Sequence, residues 1–453
     1  MIYNNNIRII VFYFFAFIII QLSEIKTQSL PKNHFLYTGE EMLYDAGMNW
    51  ESLSLFEPIK IDILLKDQTS NQGLDKDYIG QFDLSFGDGI FHLQGLGFLK
   101  YDKGFYGYFI PTVKSQPMLN HKPSSFFTMT NNQNLSGIGF QNDWAILQIG
   151  KGTESWGAGN NIQLALSDYS DAYDYVLLGS DYGKLRVRYI HGFLENVNEN
   201  INRYLTARGF EWTNKKSLII GFSETVIYSG KNRSFDIGYL NPISSHLEIE
   251  LNDRLNTIGN ANSNAVWQIH MDLLLINKLR LSFNYLIDEF IIDKKIESWK
   301  ENGTGLSVKV AYTPFFSNQL TLSIYGSFVR IGTPTFRHLI GTNNFVQKGK
   351  PIGWYQGSDG EEYLLGVSFY KMQNVQLIIK AGHRKSGNEN IIKRPLEPYK
   401  DYMKGIFPSG NVKRNYFTEA LINVWLKNKM VISNSFRLQK TNHLFCTSIS
   451  ILF

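Results

Sequence analysis

Hydrophobic and polar residues alternate with a period of two through most of this chain. Leu279, Leu281, Phe283, Tyr285 and Ile287 share one side, and Arg280, Ser282, Asn284 and Asp288 share the other. Leu185, Val187 and Tyr189 alternate with Arg186 and Arg188, and Leu306, Val308, Val310 and Tyr312 with Ser307, Lys309 and Thr313. Leu320, Leu322, Ile324 and Phe328 interleave with Thr321, Ser323 and Ser327, and Phe82, Leu84 and Phe86 flank Asp83 and Ser85. A strand sends successive side chains to opposite faces, so each run predicts an amphipathic strand. The runs are about 10 residues long, the length a tilted strand needs to cross a bilayer.

The connections alternate between short and long. Read back from the C-terminus, the strand Leu444–Phe453 follows a modest connection at Gln439–His443. Short turns are predicted at Lys427–Lys429, Gln373–Asn374, Phe315–Asn318, Asn277–Lys278 and Thr213–Lys216. Longer segments lie between them at Lys385–Arg414, Gly332–Gly360, Asp293–Gly303 and Tyr228–Asn264. Further strands are predicted near 203–212, 184–191, 173–180, 143–150, 136–141, 104–112, 90–100 and 78–86. Short turns on one side and long loops on the other describe an all-β protein: a transmembrane antiparallel up-and-down β-barrel of about 18 strands. Ile59–Leu65 is a further strand candidate that would spoil the even count. The last strand ends in the aromatic Phe453, a feature of outer-membrane barrels.

Arg8 followed by the apolar run Ile9–Ile20 predicts an export signal over residues 1–28, with an uncleaved anchor as the alternative. The run is too short for a comfortable helical span. Residues 29–57 are then a periplasmic N-terminal segment, with Gly39–Leu55 suited to a small helical element that plugs the barrel. Residues 58–453 form the barrel itself. This organisation implies an outer-membrane location, contact with lipid and loops at the cell surface.

Composition narrows the functional classes. Aromatic residues make up 14% of the chain, an excess that suits aromatic girdles or stacking on sugar rings. A formal net charge of +5 without a Lys/Arg run gives no nucleic-acid footprint. Cys446 is the one cysteine, which rules out an internal disulfide and a cysteine metal cluster. No two of the nine histidines have the i, i+4 spacing of a helical zinc site, so neither metal nor other cofactor is expected. Ser244 and His246 do not make a convincing nucleophile–base pair, and Asp288 and Glu289, adjacent on a strand, point to opposite faces. No catalytic spacing is present, so an enzyme is not expected. Gly150, Gly152, Gly157 and Gly159 stand among strands, which favours a turn or bulge over a phosphate loop.

Charge on a barrel strand normally faces the lumen. Arg186, Arg188, Arg208, Glu211, Glu224 and Asp288 are therefore read as a lumen network, with Arg208 and Glu224 facing each other across neighbouring strands. Arg280 and Lys309 join the inward cations. For sugar binding, aromatic rings beside polar groups in long loops are the suitable chemistry. Trp354, Tyr355 and Asp359 offer that mixture, with Arg337 and His338 nearby, and Trp299, Tyr399, Lys400 and Tyr402 are further candidates.

The segment from Gly150 to Phe290, about a third of the chain, resembles the capsule assembly Wzi family. The resemblance is carried by Gly150-Lys151-Gly152, Ser155-Trp156-Gly157 with Gly159, and Tyr204 with Arg208 and Glu211. It continues through Gly221-Phe222-Ser223-Glu224 with Val226-Ile227-Tyr228, then Tyr239-Leu240-Asn241-Pro242, Ser263-Asn264-Ala265 and Leu286-Ile287-Asp288-Glu289-Phe290. Ser263 stands where the family leads one to expect Asp, and the loops beyond residue 330 carry no match. The resemblance implies an 18-stranded barrel closed by side chains and a small periplasmic helical element. It also implies a non-enzymatic, lectin-like protein that holds capsular or extracellular polysaccharide at the cell surface, beside export machinery. A porin or solute channel is the alternative, resting on the barrel and its inward cations.

Overall fold

The structure, a computed structural model, describes residues 44–45, 53–56, 78–87, 90–101, 104–114, 135–142, 144–246, 249, 263–288, 301–316, 320–371, 375–398, 405–426, 430–439 and 443–452. The signal segment 1–28, most of segment 29–57, the strand candidate Ile59–Leu65, and Glu289, Trp299, Tyr399, Lys400, Tyr402 and Phe453 lie outside these residues.

The alternating runs form β1 (Tyr78–Gly87), β2 (Ile90–Tyr101), β3 (Phe105–Ile110 continued by Thr112–Lys114), β4 (Leu135–Gln141), β5 (Ala145–Gly152) and β6 (Tyr173–Asp181). They continue as β7 (Leu185–Val197), β8 (Ile201–Thr213), β9 (Leu218–Lys231), β10 (Ser263–Ile276), β11 (Leu279–Ile287) and β12 (Thr304–Phe316). The ring is completed by β13 (Leu320–Ile331), β14 (Gly360–Lys371), β15 (Val375–Ser386), β16 (Lys413–Leu426), β17 (Met430–Gln439) and β18 (His443–Leu452). Pro111 interrupts β3 because it has no N–H to give the ladder. Its carbonyl still accepts the Gly95 N–H at 2.9 Å, and both halves of β3 pair with β2.

Each strand pairs antiparallel with its sequence neighbour, and β1 pairs with β18 from Gln81↔Leu452 to Gly87↔Cys446. The result is a closed 18-stranded antiparallel barrel. A sealed cylinder leaves no unpaired strand edge, which is the condition for an all-β wall to stand in hydrocarbon.

The two faces of the wall are inverted relative to a soluble protein. Outward residues are apolar and exposed, among them Val310 (43%), Phe315 (60%) and Leu365 (71%). Inward residues are polar and buried, among them Arg280, Ser282, Asn284, Ser307, Lys309, Glu419 and Arg437. Such an apolar outer belt over a polar interior is the mark of a membrane barrel. Among the described residues no helix is long and apolar enough to cross a membrane.

The parity of connections follows the same logic. On one rim every connection is short: 102–104, 142–144, 182–184, 214–217, 277–278, 317–319, 372–374 and 427–429. The opposite rim carries the long segments 115–134, 153–172, 232–262, 288–303, 332–359 and 387–412. Several strands extend past their predicted ends toward the long-loop rim. β7 reaches Val197 rather than 191, and β9 reaches Lys231 rather than stopping at Tyr228. Near that rim both faces are buried, as at Tyr189, Ile190 and His191, so alternation fades while the ladder continues.

Val310 lies mid-strand on the outer face of β12. Val310→Arg should destabilise the barrel in lipid vesicles by about 2–4 kcal/mol, the cost of a cation near the bilayer midplane. Urea unfolding in vesicles measures it.

Candidate functional site

The lumen is filled in three layers. Nearest the short-turn rim, residues from the N-terminal segment seat on inward charges. Asp45 accepts two hydrogen bonds from Lys309 Nζ, at 2.9 and 3.0 Å. Tyr44 donates to Asp272, which also pairs with Arg280. Burial pushes the Tyr44 phenol well above the ordinary tyrosine range, so it stays a neutral donor. Glu211 accepts the Leu55 N–H at 2.8 Å and pairs with Arg186 at 2.9 Å, while Arg186 donates to the Leu53 carbonyl. Asp181, at 2.8 Å, completes the surroundings of Arg186.

The middle layer is the connection 153–172, which turns into the barrel and crosses from β5 and β6 to β10–β12. Asn284 grips it from both sides: its Oδ1 accepts the Ala158 N–H at 2.7 Å, and its Nδ2 donates to the Ala158 carbonyl at 2.8 Å. Gln268 donates to the Trp156 carbonyl, and Ser307 donates to the Ile162 carbonyl at 2.7 Å. Gly157 has φ +132°, and a Cβ there would stand 2.7 Å from Asn284 Oδ1. Glycine is thus required where the loop meets the wall. Gly159, at φ +76°, makes a turn as read from the sequence, whereas Gly150 and Gly152 belong to β5 itself.

Above this lies the connection 332–359, with a two-residue ladder of Val346–Gln347 on Lys350–Pro351. Its Trp354 N–H donates to the Leu164 carbonyl at 3.0 Å, and the Ser167 N–H donates to Ile352 at 3.1 Å. Phe56, Trp156, Leu164, Phe336, Phe345, Ile352 and Trp354 form one continuous apolar cluster inside the wall. The cluster meets inward apolar residues of the wall, among them Ile190, Leu205, Ile227, Val266, Leu286 and Ile331.

The structure places the predicted sugar candidates within this packing. Trp354 (1% exposed) and Tyr355 (6%) are core residues of the loop layer. The Tyr355 hydroxyl donates to Glu362, which also pairs with Arg384, and burial holds that phenol far above its ordinary range. Asp359, fully buried, is a hub that joins two long loops. It accepts hydrogen bonds from Thr333 Oγ1 (2.8 Å), Ser409 N–H (2.8 Å), Ser409 Oγ (2.5 Å) and Glu389 N–H (3.0 Å). Arg337 and His338 are half-buried at the loop surface. Arg337 donates to the Glu389 carbonyl at 2.6 Å, and burial lowers its pKa.

The inward network contains Arg186, Arg188, Glu211 and Asp288, the last accepting the Phe336 N–H. Arg208 and Glu224 do form a pair, 3.1 Å apart, but on the outer face of the wall rather than in the lumen. Their neighbours settle the side: a Cβ on Gly209 would strike Phe56 in the lumen, and Arg208 shares its face with exposed Phe210 and Trp212. Residues 232–246, the described start of the connection 232–262, make this tolerable by packing against the outer face of β7–β10. Glu224 accepts the His246 N–H at 3.0 Å and Trp267 Nε1 at 2.8 Å, and Arg208 donates to the Asn241 carbonyl. Around the pair, Tyr204, Tyr228 and Tyr239 stack with centroids 5.0 and 4.8 Å apart. Ser244 and His246 have separate partners, Asn241 and Tyr239. Among the described residues, no group of three His, Cys, Asp or Glu side chains is placed to hold a metal ion.

Sequence reading missed three inward pairs: Asp272–Arg280, Glu362–Arg384 and Glu419–Arg437. The latter two sit directly opposite in register across short turns, so counting outward from those turns would have found them.

Glu211→Ala should cost about 3 kcal/mol, because it leaves the buried Arg186 only the part-exposed Asp181 as a counterion and takes the acceptor from the buried Leu55 N–H. The double variant Arg186→Met/Glu211→Met should recover much of that loss, and thermal unfolding of the intact protein, Arg186→Met, Glu211→Met and the double variant measures the coupling. Asp359→Ala should free the connection 387–412 and raise its rate of limited proteolysis at least several-fold, with the barrel itself still resistant.

No protein-family model matches the chain, and no curated protein matches it. Its fold is similar to that of Wzi, an outer membrane protein involved in group 1 capsule assembly in Escherichia coli and a carbohydrate-binding β-barrel. The TM-score is 0.61 at 11% identity, over 91% of this chain and 96% of that chain. Pseudomonas aeruginosa OprD matches with a TM-score of 0.44 at 9% identity, over 83% of this chain and 94% of that one. Pseudomonas aeruginosa OccK10 (OpdN) matches with a TM-score of 0.46 at 8% identity, over 83% and 99%. The chain has the architecture of an outer-membrane β-barrel.

Proposed function

We propose that this barrel is a polysaccharide-binding protein of the outer membrane that holds capsular or extracellular polysaccharide at the cell surface, without catalysing a reaction. The observation that carries the reading is the filled lumen. Connection 153–172 crosses the interior, and connection 332–359 packs on it from the long-loop side. A barrel obstructed in this way is poorly suited to conduct solutes and well suited to present an outer surface. The likeness in fold to Wzi supports the same reading. Of the predicted sugar set, Arg337 and His338, half-buried at the loop surface, are the residues this reading assigns to the polymer. Trp354, Tyr355 and Asp359 support that surface from below. Export machinery for the polymer is the partner such a role implies.

The porin reading has one observation in its favour. It is one of composition: the inner wall of β14–β18 and β1–β2 carries small or polar side chains such as Gln94, Gln376, Asn423, Ser433, Ser448 and Ser450, all of them buried. Planar bilayers separate the two readings. The intact protein should be electrically silent, and replacing residues 154–166 with a short Gly-Ser linker should open steady conductance. A deletion strain should shed surface polysaccharide into the medium, with retention restored by the intact gene. Steady conductance of the intact protein, together with unchanged retention of surface glycans, would establish the porin reading instead.

A further inference from the structure

The outer wall of β13–β16 carries a patterned surface that polysaccharide binding at the loops does not use. The register places outward residues of these four strands in rows. The row nearest the long-loop rim reads Arg330, Glu361, Lys385, Arg414. Beneath it runs an aromatic row, Phe328, Tyr363, His383, Tyr416. The next row is Gly326, Leu365, Ala381, Thr418, and the one after it Ile324, Val367, Ile379, Ala420. Charge, then rings, then hydrocarbon is the order met on descending from a membrane's head groups to its interior.

Three of the four charges in the upper row are cations. Lys385 Nζ lies 2.6 Å from Glu361 Oε1, so that pair is neutral as a unit. The Arg330 guanidinium rests 4.1 Å from the Phe407 ring centroid. A π face orients a cation without cancelling its charge. Arg414 is exposed and makes no ion pair or hydrogen bond among the described residues, and the exposed Lys413 precedes it. The row therefore keeps a net positive charge at the upper edge of the apolar belt. Neighbouring strands lie about 4.8 Å apart, so Arg330 and Arg414, three steps from each other, are separated by roughly 14 Å. That span exceeds one phosphate and suits a head group with two phosphates on a disaccharide-sized frame.

The surface below fits the rest of such a lipid. His383 and Tyr416 stack at 4.3 Å, and Phe328 lies 4.8 Å from Tyr363, giving flat faces at the level of a sugar ring. The small residues Gly326 and Ala381 flank Leu365, which is left 71% exposed as an apolar ridge with a shallow furrow for acyl chain beside it. Beside the row, Ile406 is 85% exposed next to Phe407. An isolated apolar side chain projecting at this level is satisfied by the outer leaflet itself.

We propose that this wall is a binding site for a doubly phosphorylated glycolipid of the outer leaflet. Arg330 and Arg414 hold its phosphates, the aromatic row meets its sugars, and Leu365 with Ile379 meets its acyl chains. An acidic polysaccharide would also answer to the cations, but it has no use for the hydrocarbon rows beneath them. The proposal goes beyond the surface-retention reading and does not rest on it, since a porin would carry the same wall.

The test uses the full chain folded in detergent, titrated separately with bisphosphorylated lipid A and with phosphatidylglycerol, with bound lipid counted by native mass spectrometry. The intact protein should retain lipid A in preference to phosphatidylglycerol. Arg330→Gln/Arg414→Gln should weaken lipid A retention on the order of thirty-fold, from about fivefold per cation at a membrane surface. Arg330→Lys/Arg414→Lys should keep it. Lys393→Gln/Arg394→Gln, which removes two charges from the loop tip, should leave it unchanged, and heat-modifiable gel mobility should confirm folding of every variant. Equal retention of the two lipids, unaltered retention by the Gln pair, or equal loss in the loop-tip control overturns the proposal. Displacement of lipid A by dextran sulfate at matched charge overturns it in favour of a polymer site. None of these readouts depends on surface polysaccharide, so failure here leaves the function above untouched.

Discussion

A polypeptide wall in hydrocarbon has no water to satisfy its amides, so every strand must find a partner on both sides. In this chain that demand is met by the β1–β18 seam, where Gln81–Gly87 pairs with Cys446–Leu452. Once the ring is shut, the period of two fixes the chemistry of both faces. Apolar side chains meet lipid and polar ones turn inward, where they become buried polar groups in need of partners. Much of what lies inside the barrel answers that second need.

The answer differs around the circumference. Along β7–β12 the inward charges are met by chain folded in from elsewhere: Tyr44 and Asp45, the backbone of residues 53–55, and the connection 153–172. Each inserted segment brings backbone groups that wall side chains such as Asn284, Gln268 and Ser307 satisfy. It also brings rings that fuse into one apolar cluster with the upper wall. Along β14–β17 the wall supplies its own partners, with Glu362 on Arg384 and Glu419 on Arg437 across adjacent strands. The first half adds long-range docking to its local pairs Arg186–Glu211 and Arg280–Asp272, and the second relies mainly on local pairing.

Much of this wall was legible in the sequence because two opposed solvents impose alternation directly. The strands, the short turns and the inward placement of Arg186, Arg188, Glu211, Arg280 and Lys309 all follow from it. Arg208 and Glu224 were read onto the wrong face by the general expectation that barrel charges point inward. The contrary signal was present: Arg208 has the same parity as Phe210 and Trp212, which belong to the belt. What the pattern does not encode is the fold of the loops. Trp354, Tyr355 and Asp359 look like a sugar platform in one dimension, since aromatic and polar residues in a long loop suit either a ligand or a tertiary contact. Their partners, Leu164, Glu362 and Ser409, come from three separate segments, and no local periodicity ties them together.

The seating of Asp45 on Lys309 joins positions 264 residues apart, and Tyr44 reaches Asp272 across 228. Contacts so distant along the chain carry a large loop-closure cost and form late. The wall by itself already holds Arg280 on Asp272 and Arg186 on Asp181 and Glu211. Lys309, by contrast, takes its carboxylate from Asp45. The inserted segment thus serves the wall as a tethered counterion, held by charge at Lys309 and by a hydrogen bond at Asp272.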